Sequence, residues 1–457
     1  MDKASNETGA IVQDNSARSK LMSRIADRNA KIGIIGLGYV GLPLAVAATN
    51  AGFVVLGFDI DADRVARVNR GETVLKHLNG SVLGGAIDQQ RFSATADFSR
   101  LTEADAILIC VPTPLTRHRD PDLSYVEATA RDIAKTLRPE QLVVLESTTY
   151  PGTTDEIMKP ILEQSGLKSG HDFFLAFSPE REDPGNAEYG TSTIPKVVGG
   201  DGQDALDLSN ALYSSLVART VPVSSAATAE AVKLTENIFR AVNIALVNEL
   251  KIVYDAMGID VWEVIDAAKT KPFGFMPFYP GPGLGGHCIP IDPFYLTWKA
   301  REFDISTRFI ELAGEINTAM PAHVISRLAT ALDMTSGRGL KDAKVLVLGV
   351  AYKKNVDDMR ESPSLRLIEL LEARGANTAF YDPYIPIIPP TREHAELTGR
   401  KSIDLTAQEL ASCDCVLIAT DHDNVDYDLV VRNARLVVDT RNVCTRKGVS
   451  LENVVKA

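Results

Sequence analysis

Short apolar runs alternate with helical stretches along the chain. The first run is Ile32–Ile35, and "FVVLGFD", "DAILICVPTPL", "QLVVLEST" and "FFLAFSPE" follow it at intervals. Most of these runs end in polar residues or proline, as buried strands of a parallel sheet do. The pattern therefore predicts a doubly wound α/β domain in the first half of the chain.

The second half begins with a long helix and then repeats the strand pattern. From about Thr228 to Met257 the apolar positions follow helical spacing, with a stripe that includes Phe239 and Leu246. The stretch "KVLVLGVAYKKNVDDMRESPS" at 344–364 resumes the strand–turn theme, followed by "ANTAFYDPY", "CDCVLIAT" and "RLVVDTRN". The expected fold class is α/β, with two Rossmann-like doubly wound domains joined by a long central helix.

These patterns divide the chain into four parts. Residues 1–30 are polar and mixed in charge, and we expect a disordered N-terminal extension with at most a short helical turn at "LMSRIADR". We expect a Rossmann-like domain at 31–221, a central helical domain at 222–325, and a second Rossmann-like domain at 326–457.

A glycine-rich turn joins the first strand to the first helix of the sheet. Gly36, Gly38 and Gly41 have the spacing GxGxxG, and the next strand ends on Asp59. In this context the glycines allow a tight turn, a close approach to a pyrophosphate and close packing of the helix. A carboxylate at Asp59 would bind ribose hydroxyls and repel a 2′-phosphate, so NAD is favoured, although the nearby Arg64 is a feature that would suit NADP.

Charge and cysteine content limit the partners and the compartment. The 457-residue chain has a formal net charge of −12, which argues against nucleic acid or an anionic membrane as a general partner. No stretch approaches the ~20 apolar residues of a membrane span. Five cysteines, an odd number, favour free thiols in the cytoplasm, and Cys413-Asp414-Cys415 is not a metal-ligand spacing, so no metal is expected.

Candidate chemistry lies at strand ends, on the long helix and in one loop. Thr113, Thr148 and Glu180 follow predicted strands, where ligands of such sheets bind, although each could simply cap a helix. Lys233 and Asn237 are four residues apart and share a helix face, which could also be an ordinary solvated face.

The loop "PGPGLGGHCIPIDP" at 280–293 places four glycines and four prolines around Cys288. Glycine permits close backbone approach and proline stiffens the chain, so the loop could fix a reactive thiol in place. Alternatively, it is a tight connector with an incidental cysteine.

Basic residues follow the strands of the second domain, which lacks the dinucleotide fingerprint. Lys353, Arg360 and Arg441 lie there, which suits a phosphorylated ligand, whereas the adjacent Lys354 is more readily explained as solvated surface.

These motifs, in this order, resemble the UDP-glucose/GDP-mannose dehydrogenase family. The resemblance rests on GLGYVG, the Lys233–Asn237 helix, GPGLGGHCIPIDP and KKNVDDMRES, and it runs from Lys31 to about Cys444. It implies an enzyme that oxidises the C6 alcohol of a nucleotide sugar to a carboxylate with two NAD. By this resemblance the domain at 31–221 binds NAD and the domain at 326–457 binds a UDP-sugar. It also implies a dimer or higher homo-oligomer paired through the long helix.

The resemblance also implies roles for individual residues. Cys288 would attack the aldehyde and carry a thiohemiacetal and then a thioester, while Lys233 and Asn237 stabilise the developing oxyanion. Asp292 and Thr148 would hold water or take the alcohol proton, and Glu180 would act as base in thioester hydrolysis. His287 is left unassigned. The cofactor would contact Gly36, Gly38, Tyr39, Val40, Gly41, Asp59, Arg64, Thr113, Thr148 and Arg360, and the substrate would contact Glu180, Arg181, Lys233, Asn237, Tyr279, Gly285, Lys353 and Arg441.

The residues around Glu180 indicate which sugar the substrate carries. The segment "SPEREDPGN" at 178–186 puts Arg181 and Glu182 where UDP-glucose enzymes of the family carry an apolar pair. Together with "FMPFYPGPGLGGHC" it looks most like the branch acting on UDP-N-acetylglucosamine, with UDP-N-acetylmannosamine and UDP-glucose as alternatives. A catalytically silent nucleotide-sugar sensor would not need Cys288, and a 2-hydroxy-acid or 6-phosphogluconate-type dehydrogenase would not explain the second nucleotide fold.

Overall fold

The fold was obtained as a computed structural model, which describes residues 16–72, 80–116, 119–181, 192–286, 289–391 and 393–457. The chain forms two compact units. The first comprises residues 1–116 and 121–233, and the second comprises residues 117–120 and 234–457.

The first unit is built on an eight-stranded sheet. Its strands are β1 (Lys31–Ile35), β2 (Val54–Phe58), β3 (Phe92–Thr95), β4 (Ala106–Ile109), β5 (Leu142–Leu145), β6 (Phe174–Phe177), β7 (Lys196–Gly200) and β8 (Thr220–Pro222). The order is β3-β2-β1-β4-β5-β6-β7-β8. All neighbours pair in parallel except β6 and β7, which are antiparallel with Phe177 opposite Gly199. β7 and β8 therefore both run opposite to the other six strands, which was not expected from the sequence.

Helices cover both faces of this sheet. They are α1 (Ala17–Ala26), α2 (Gly41–Asn50), α3 (Ala62–Asn69), α4 (Gly80–Asp88), α5 (Ser124–Thr136), α6 (Lys159–Leu162) and α7 (Gln203–Ser214). Short 3₁₀ turns occupy Phe98–Glu103 and Glu163–Ser165, and a π-helical turn occupies Thr153–Met158. Successive residues of β4 enter different cores: Ala106 and Leu108 join one, and Ile107 and Ile109 join the other. This alternation is the geometric result of a strand buried on both faces.

Helix α1 corrects the expectation for the N-terminal extension. Residues 17–26 form a helix that buries Leu21 and Ile25 in the core, so the disorder expected for residues 1–30 does not extend to this stretch. Arg24 donates to the buried Asp105 at 2.5 Å, which fixes the helix to the end of the sheet. Residues 1–15 lie outside the described part of the chain.

The long helix α8 (Ala226–Met257) is present as expected, and its first residues belong to the first unit. In the second unit, its buried positions include Ala241, Ala245 and Val247. Phe239 and Leu246, from the predicted apolar stripe, are instead 48% and 52% exposed. The spacing identified the helix correctly but not the face that the chain itself buries.

The second unit contains a five-stranded parallel sheet. Its strands are β9 (Lys344–Leu348), β10 (Asn377–Tyr381), β11 (Cys415–Ile418), β12 (Val437–Asp439) and β13 (Val454–Lys456), in the order β10-β9-β11-β12-β13. Its helices are α9 (Val261–Ala268), α10 (Asp292–Ala300), α11 (Arg308–Ser336), α12 (Pro363–Ala373), α13 (Ala407–Ser412), α14 (Tyr427–Asn433) and α15 (Val443–Lys447), with 3₁₀ turns at Arg301–Phe303 and Ala395–Leu397. Val345 and Val347 enter one core and Leu346 and Leu348 the other, so this sheet is also covered on both faces.

The predicted fold class is confirmed: two Rossmann-like α/β domains and a long central helix are present. Among the helices that the structure describes, none combines the length and apolar character needed to cross a bilayer.

Candidate active site

The glycine turn after β1 has the geometry that a dinucleotide requires. Gly36 has φ +94°, and a Cβ added to it would lie 2.5 Å from the carbonyl oxygen of Cys110. A Cβ on Gly41 would lie 1.9 Å from the carbonyl oxygen of Gly36, so α2 can pack this closely only with glycine there. In contrast, a Cβ on Gly38 would meet nothing within 4 Å. The space beside Gly38 is therefore open, where the backbone would approach a pyrophosphate.

Asp59, which directly follows β2, forms a hydrogen bond with this turn. Its side chain is buried and accepts hydrogen bonds from the backbone N–H groups of Leu37 at 3.0 Å and Asp61 at 2.9 Å. Arg64, which is partly exposed, donates to the same carboxylate at 3.2 Å. Asp59 thus ties the glycine turn to the end of β2, and its position fits a carboxylate that binds the adenosine ribose. These residues fit NAD.

The remaining predicted cofactor residues of this unit lie around the same sheet edge. Tyr39 and Val40 lead into α2, and the N–H of Leu44 donates to the carbonyl of Val40 at 3.2 Å. Thr113 is buried in the loop after β4, and Thr148 is half-buried in the loop after β5.

Glu180 lies after β6 and is held at several atoms. Its carbonyl oxygen accepts from Nζ of Lys233 at 2.5 Å, and its Oε1 accepts from the N–H of Arg181 at 2.7 Å. Its Oε2 accepts from Nζ of Lys196 at 3.1 Å. The structure therefore brings together Glu180 and Lys233, two of the predicted catalytic residues.

Arg181, which is predicted to contact the substrate, also forms a hydrogen bond within the chain. Its guanidinium donates to the carbonyl oxygen of Pro195 at 2.6 Å. Glu182, the other charged residue that the sequence pointed to, lies outside the described residues.

Glu180 belongs to a cluster of charged residues that was not predicted from the sequence. Lys196, at the start of β7, is 3% exposed and also donates to Glu146 at 2.5 Å. The hydroxyl of Tyr213 donates to the other oxygen of Glu146. The sequence feature that could have indicated this cluster is a charged residue at the end of each apolar run: Lys196 directly before "VVGG" and Glu146 directly after "LVVL".

Burial and charge oppose each other in this cluster. Burial lowers the pKa of Lys196, but Glu146 and Glu180 outweigh it, so the net shift is upward. Burial raises the pKa of Glu146; Lys196 opposes the rise and Glu180 adds to it. Two carboxylates thus share one buried ammonium.

A second missed residue, Glu230, joins α8 to the loop that carries Thr148. Its carboxylate accepts from the N–H of Gly152 at 2.6 Å, and from the N–H and hydroxyl of Thr154 at 2.9 and 2.7 Å. Burial raises the pKa of Glu230 to about 7 despite these hydrogen bonds. Glu230 lies one helical turn before Lys233, so it fixes this part of α8 to the loop after β5.

In the second unit, Asn237 and Asp292 form a buried pair. The side-chain amide of Asn237 donates to Oδ2 of Asp292 at 2.6 Å, and the two residues are 4% and 1% exposed. Asp292 is the first residue of α10. Asn237 lies one turn after Lys233 along α8, as the spacing predicted. Cys288 and His287 lie outside the described residues.

Two glycines before Cys288 lie in close contact with other parts of the second unit. A Cβ on Gly285 would lie 2.7 Å from Cβ of Tyr352 and 3.0 Å from the carbonyl oxygen of Glu361. A Cβ on Gly281 would lie 2.7 Å from Nη1 of Arg441. The loop thus lies directly against the residues that follow β9 and β12.

The predicted nucleotide-binding residues of the second unit have different surroundings. Nε of Arg441 donates to the carbonyl oxygen of Ala419 at 2.9 Å, and burial lowers its pKa. Lys353 is half-buried in the loop after β9. Lys354 pairs with the exposed Asp423 at 3.2 Å, as suits a surface lysine.

Arg360 and Tyr279 each bond to a neighbouring aspartate. Arg360 pairs with Asp358 through two nitrogens, at 2.6 and 3.0 Å, and its place at the cofactor stays a prediction. The hydroxyl of Tyr279 donates to Asp266 at 2.8 Å.

In the described part of the chain, no group of three or more His, Cys, Asp or Glu side chains could hold a metal ion.

Comparison with known proteins identifies the family. Residues 30–217, 227–319 and 346–446 match the NAD binding, central and UDP binding domains of the UDP-glucose/GDP-mannose dehydrogenase family. The chain is 38% identical to UDP-N-acetyl-D-glucosamine 6-dehydrogenase of Pseudomonas aeruginosa over 78% of this chain and 84% of that protein. It is 34% identical to UDP-N-acetyl-D-mannosamine dehydrogenase of Pyrococcus horikoshii over 90% of this chain and 96% of that protein.

A solved structure described as UDP-D-ManNAc dehydrogenase from Pyrococcus horikoshii aligns with a TM-score of 0.81 at 33% identity, over 90% of this chain and 96% of that one. The match to the NAD binding domain of the family, together with the geometry of the glycine turn and Asp59, confirms the expected cofactor. The chain belongs to the UDP-glucose/GDP-mannose dehydrogenase family and is an NAD-dependent UDP-sugar dehydrogenase.

Proposed function

We propose that the chain oxidises the C6 alcohol of UDP-N-acetylglucosamine to the carboxylate. The observation that carries the chemistry is the buried pair of Asn237 and Asp292, because Asp292 lies only four residues beyond Cys288 in the sequence. The choice of sugar is supported by the 38% identity to the Pseudomonas aeruginosa enzyme and by the charged wording after Glu180. UDP-N-acetylmannosamine is the second candidate, because the relative of that name matches over more of the chain.

The residues have the following roles in this proposal. NAD, when bound, accepts one hydride from the substrate in each of the two oxidations. Asp292, with Thr148, takes the proton of the C6 hydroxyl or holds the water that does so. Asn237 donates to Asp292 and fixes the direction of its carboxylate, because an amide with one acceptor partner has a defined rotamer.

The thiolate of Cys288 attacks the aldehyde carbon, and the aldehyde oxygen takes a proton to give a thiohemiacetal. Lys233 and Asn237 stabilise the negative charge on that oxygen as the C–S bond forms. An ammonium carries three N–H donors, so the bond from Lys233 to the carbonyl of Glu180 is compatible with this role. Loss of a hydride and a proton then leaves a thioester on Cys288.

Hydrolysis of the thioester completes the reaction, with Glu180 as general base. Its carboxylate takes a proton from water while the water oxygen bonds to the acyl carbon. The C–S bond then breaks with its electron pair going to the sulfur of Cys288. The carboxylic acid that forms loses its remaining proton to solvent.

The UDP moiety is proposed to bind in the second unit. The family match to a UDP binding domain covers Lys353 and Arg441, which lie after β9 and β12. Because Gly281 lies against the guanidinium of Arg441, the glycine loop and the nucleotide-binding residue are fixed to each other. Tyr279 and Gly285 contribute to the same site, and Arg181 contacts the sugar.

Assembly and compartment are also proposed. Phe239, Leu246, Val253 and Met257 of α8 are 45–63% exposed, which supports a homodimer or higher homo-oligomer that covers this helix. The free thiols of Cys110, Cys413, Cys415 and Cys444 support a location in the cytoplasm.

A panel of UDP-sugars with excess NAD tests the proposal. We expect two NADH per sugar consumed and a higher kcat/KM for UDP-N-acetylglucosamine than for UDP-N-acetylmannosamine or UDP-glucose. A higher value for either of the other sugars would overturn the choice of sugar but not the chemistry.

The variant Cys288→Ser tests the chemistry. It replaces a thiolate with a hydroxyl that is hardly ionised at neutral pH, so it should bind both ligands yet lose multiple-turnover formation of uronate. Mass spectrometry of enzyme and products distinguishes an aldehyde-level product from an ester on serine. Uronate formation at the wild-type rate would show that Cys288 is not the nucleophile.

A further inference from the structure

The reversed strand β7 brings a lysine to the edge of the sheet where Glu180 lies. β5 and β6 run in parallel, so Glu146 and Glu180, which follow them, lie at the same edge. β7 is antiparallel to β6, so its first residue, Lys196, is at that edge rather than at the opposite one. In a fully parallel sheet, a residue at the start of β7 would not reach Glu180.

The exposure of the charged side chains increases from Glu146 through Lys196 to Glu180. The side chains of Glu146, Lys196 and Glu180 are 0%, 4% and 14% exposed. Tyr213 on α7 is fully buried and donates to Glu146, and its ring centroid lies 5.5 Å from Nζ of Lys196. The charges are thus anchored in the core, and Glu180 is the most exposed of these four side chains.

Such a cluster is an unusual way to stabilise a core. Taking charged groups out of water costs several kcal/mol per ion, and apolar side chains of similar volume often serve stability as well or better. A role at the functional edge therefore explains the cluster better than stability does.

We propose that Lys196 is a positioning residue for Glu180, holding the carboxylate ionised and in one orientation for thioester hydrolysis, with Glu146 and Tyr213 fixing the ammonium. The inference rests on the proposed role of Glu180 as general base. Lys196 itself transfers no proton to the substrate.

The neighbours of Glu180 determine the sign of the expected pH effect. They include Lys196 from β7, Glu146 after β5, Lys233 from α8, the half-buried Cys110 after β4, and the adjacent Arg181. Without the charge of Lys196, two carboxylates would face each other in a buried place, and such a pair retains a proton to higher pH. The two carboxylates would then share one proton at neutral pH, and Glu180 cannot act as a base whenever it carries that proton.

The test is the variant Lys196→Met, examined in the full-length enzyme by rapid quench with one equivalent of UDP-N-acetylglucosamine and excess NAD. We expect both NADH to form at near wild-type rates. Hydrolysis should then be at least tenfold slower at pH 7, with the acyl group detected on Cys288 by mass spectrometry. The acidic limb of the hydrolysis rate should move to higher pH by one unit or more, so that the rate recovers toward pH 9.

Two controls separate this effect from a loss of structure. Lys159→Met removes an ion pair with Asp201 at 2.8 Å, outside the cluster, and should leave the pH profile unchanged. The double variant Lys196→Met/Glu146→Gln removes both buried charges, so it should fold even if Lys196→Met does not. Its acidic limb should return toward the wild-type position because no second carboxylate faces Glu180, while its maximal hydrolysis rate stays reduced.

The outcomes distinguish the inference from the function on which it rests. If Glu180→Gln hydrolyses the acyl-enzyme at the wild-type rate, the proposed role of Glu180 is wrong. If Glu180→Gln blocks hydrolysis but the Lys196 variants keep the wild-type rate and pH profile, the role of Lys196 is wrong. A loss of equal size at every pH would likewise overturn it, since a structural defect predicts no shift of the limb.

Discussion

Replacing Asp59 perturbs both the cofactor site and the turn that forms it. The carboxylate would bind the adenosine ribose, but it also accepts the N–H groups of Leu37 and Asp61 and pairs with Arg64. In Asp59→Ala, two backbone donors lose their acceptor, and one of them belongs to the glycine turn itself. The prediction is therefore a loss of stability together with a loss of affinity.

The magnitudes follow from these contacts. The N–H of Leu37 is buried, and a buried donor left without a partner costs about 1–3 kcal/mol. Asp61 is exposed and its N–H can bond to water instead, so Asp59→Ala should lose roughly 1–3 kcal/mol in the free energy of unfolding. The variant Asp59→Asn keeps one oxygen acceptor, so its loss should be about half as large. For NAD, a lost hydrogen bond to a charged group is worth roughly 1.5–3 kcal/mol, or about a ten- to hundredfold rise in Kd.

The assay is isothermal titration of each variant with NAD and NADP, with urea unfolding measured in parallel. Removing the negative charge also leaves Arg64 without its partner, so NADP should gain affinity relative to NAD in Asp59→Asn. The control is Asp63→Asn, an exposed aspartate in the first turn of α3, for which we expect both Kd values and the stability to be unchanged. An Asp59→Asn enzyme with wild-type NAD affinity and wild-type selectivity against NADP would refute the assignment.

Three further predictions concern Asn237, Glu230 and Gly285. Asn237→Asp would place two buried carboxylates 2.6 Å apart, so the pair should retain a proton. Both the melting temperature and the activity of this variant should therefore be lowest at pH 8 and partly recover at pH 5. Equal values at the two pH values would contradict this. Because the pKa of Glu230 is raised to about 7 in the fold, wild-type stability should fall as pH rises between about 4.5 and 7, and Glu230→Gln should lack this fall. The stability of Glu230→Gln relative to wild type should therefore rise with pH by on the order of 3 kcal/mol, as measured by urea unfolding, and a constant difference would be against it. Gly285→Ala would bring a Cβ to 2.7 Å from Cβ of Tyr352 and displace the loop before Cys288, so kcat should fall at least tenfold. In the control Gly339→Ala, the added Cβ meets nothing within 4 Å, so kcat should equal that of the wild type.

The sequence by itself determined the fold class, the cofactor and the family. These follow from local patterns: a buried strand is a short apolar run, and the dinucleotide turn uses glycine at three fixed positions. A side chain would clash at the first and third positions, and at the second it would obstruct the approach to a pyrophosphate. Gly36 and Gly41 have the close contacts that this reasoning requires. Asn237 and Asp292, which two separate motifs singled out, are hydrogen-bonded to each other in the structure.

Only the tertiary structure decided which residues surround Glu180. Whether a strand runs parallel or antiparallel depends on its pairing with distant strands, and the apolar run of β7 reads the same in both directions. The reversed direction brings Lys196 to Glu146 and Glu180, three residues spread over 50 positions of the chain. The buried face of α8 was undetermined for the same reason, because helical spacing shows that apolar positions align but not which elements cover them. Local sequence thus specifies the elements and their turns, whereas long-range pairing specifies which charges meet.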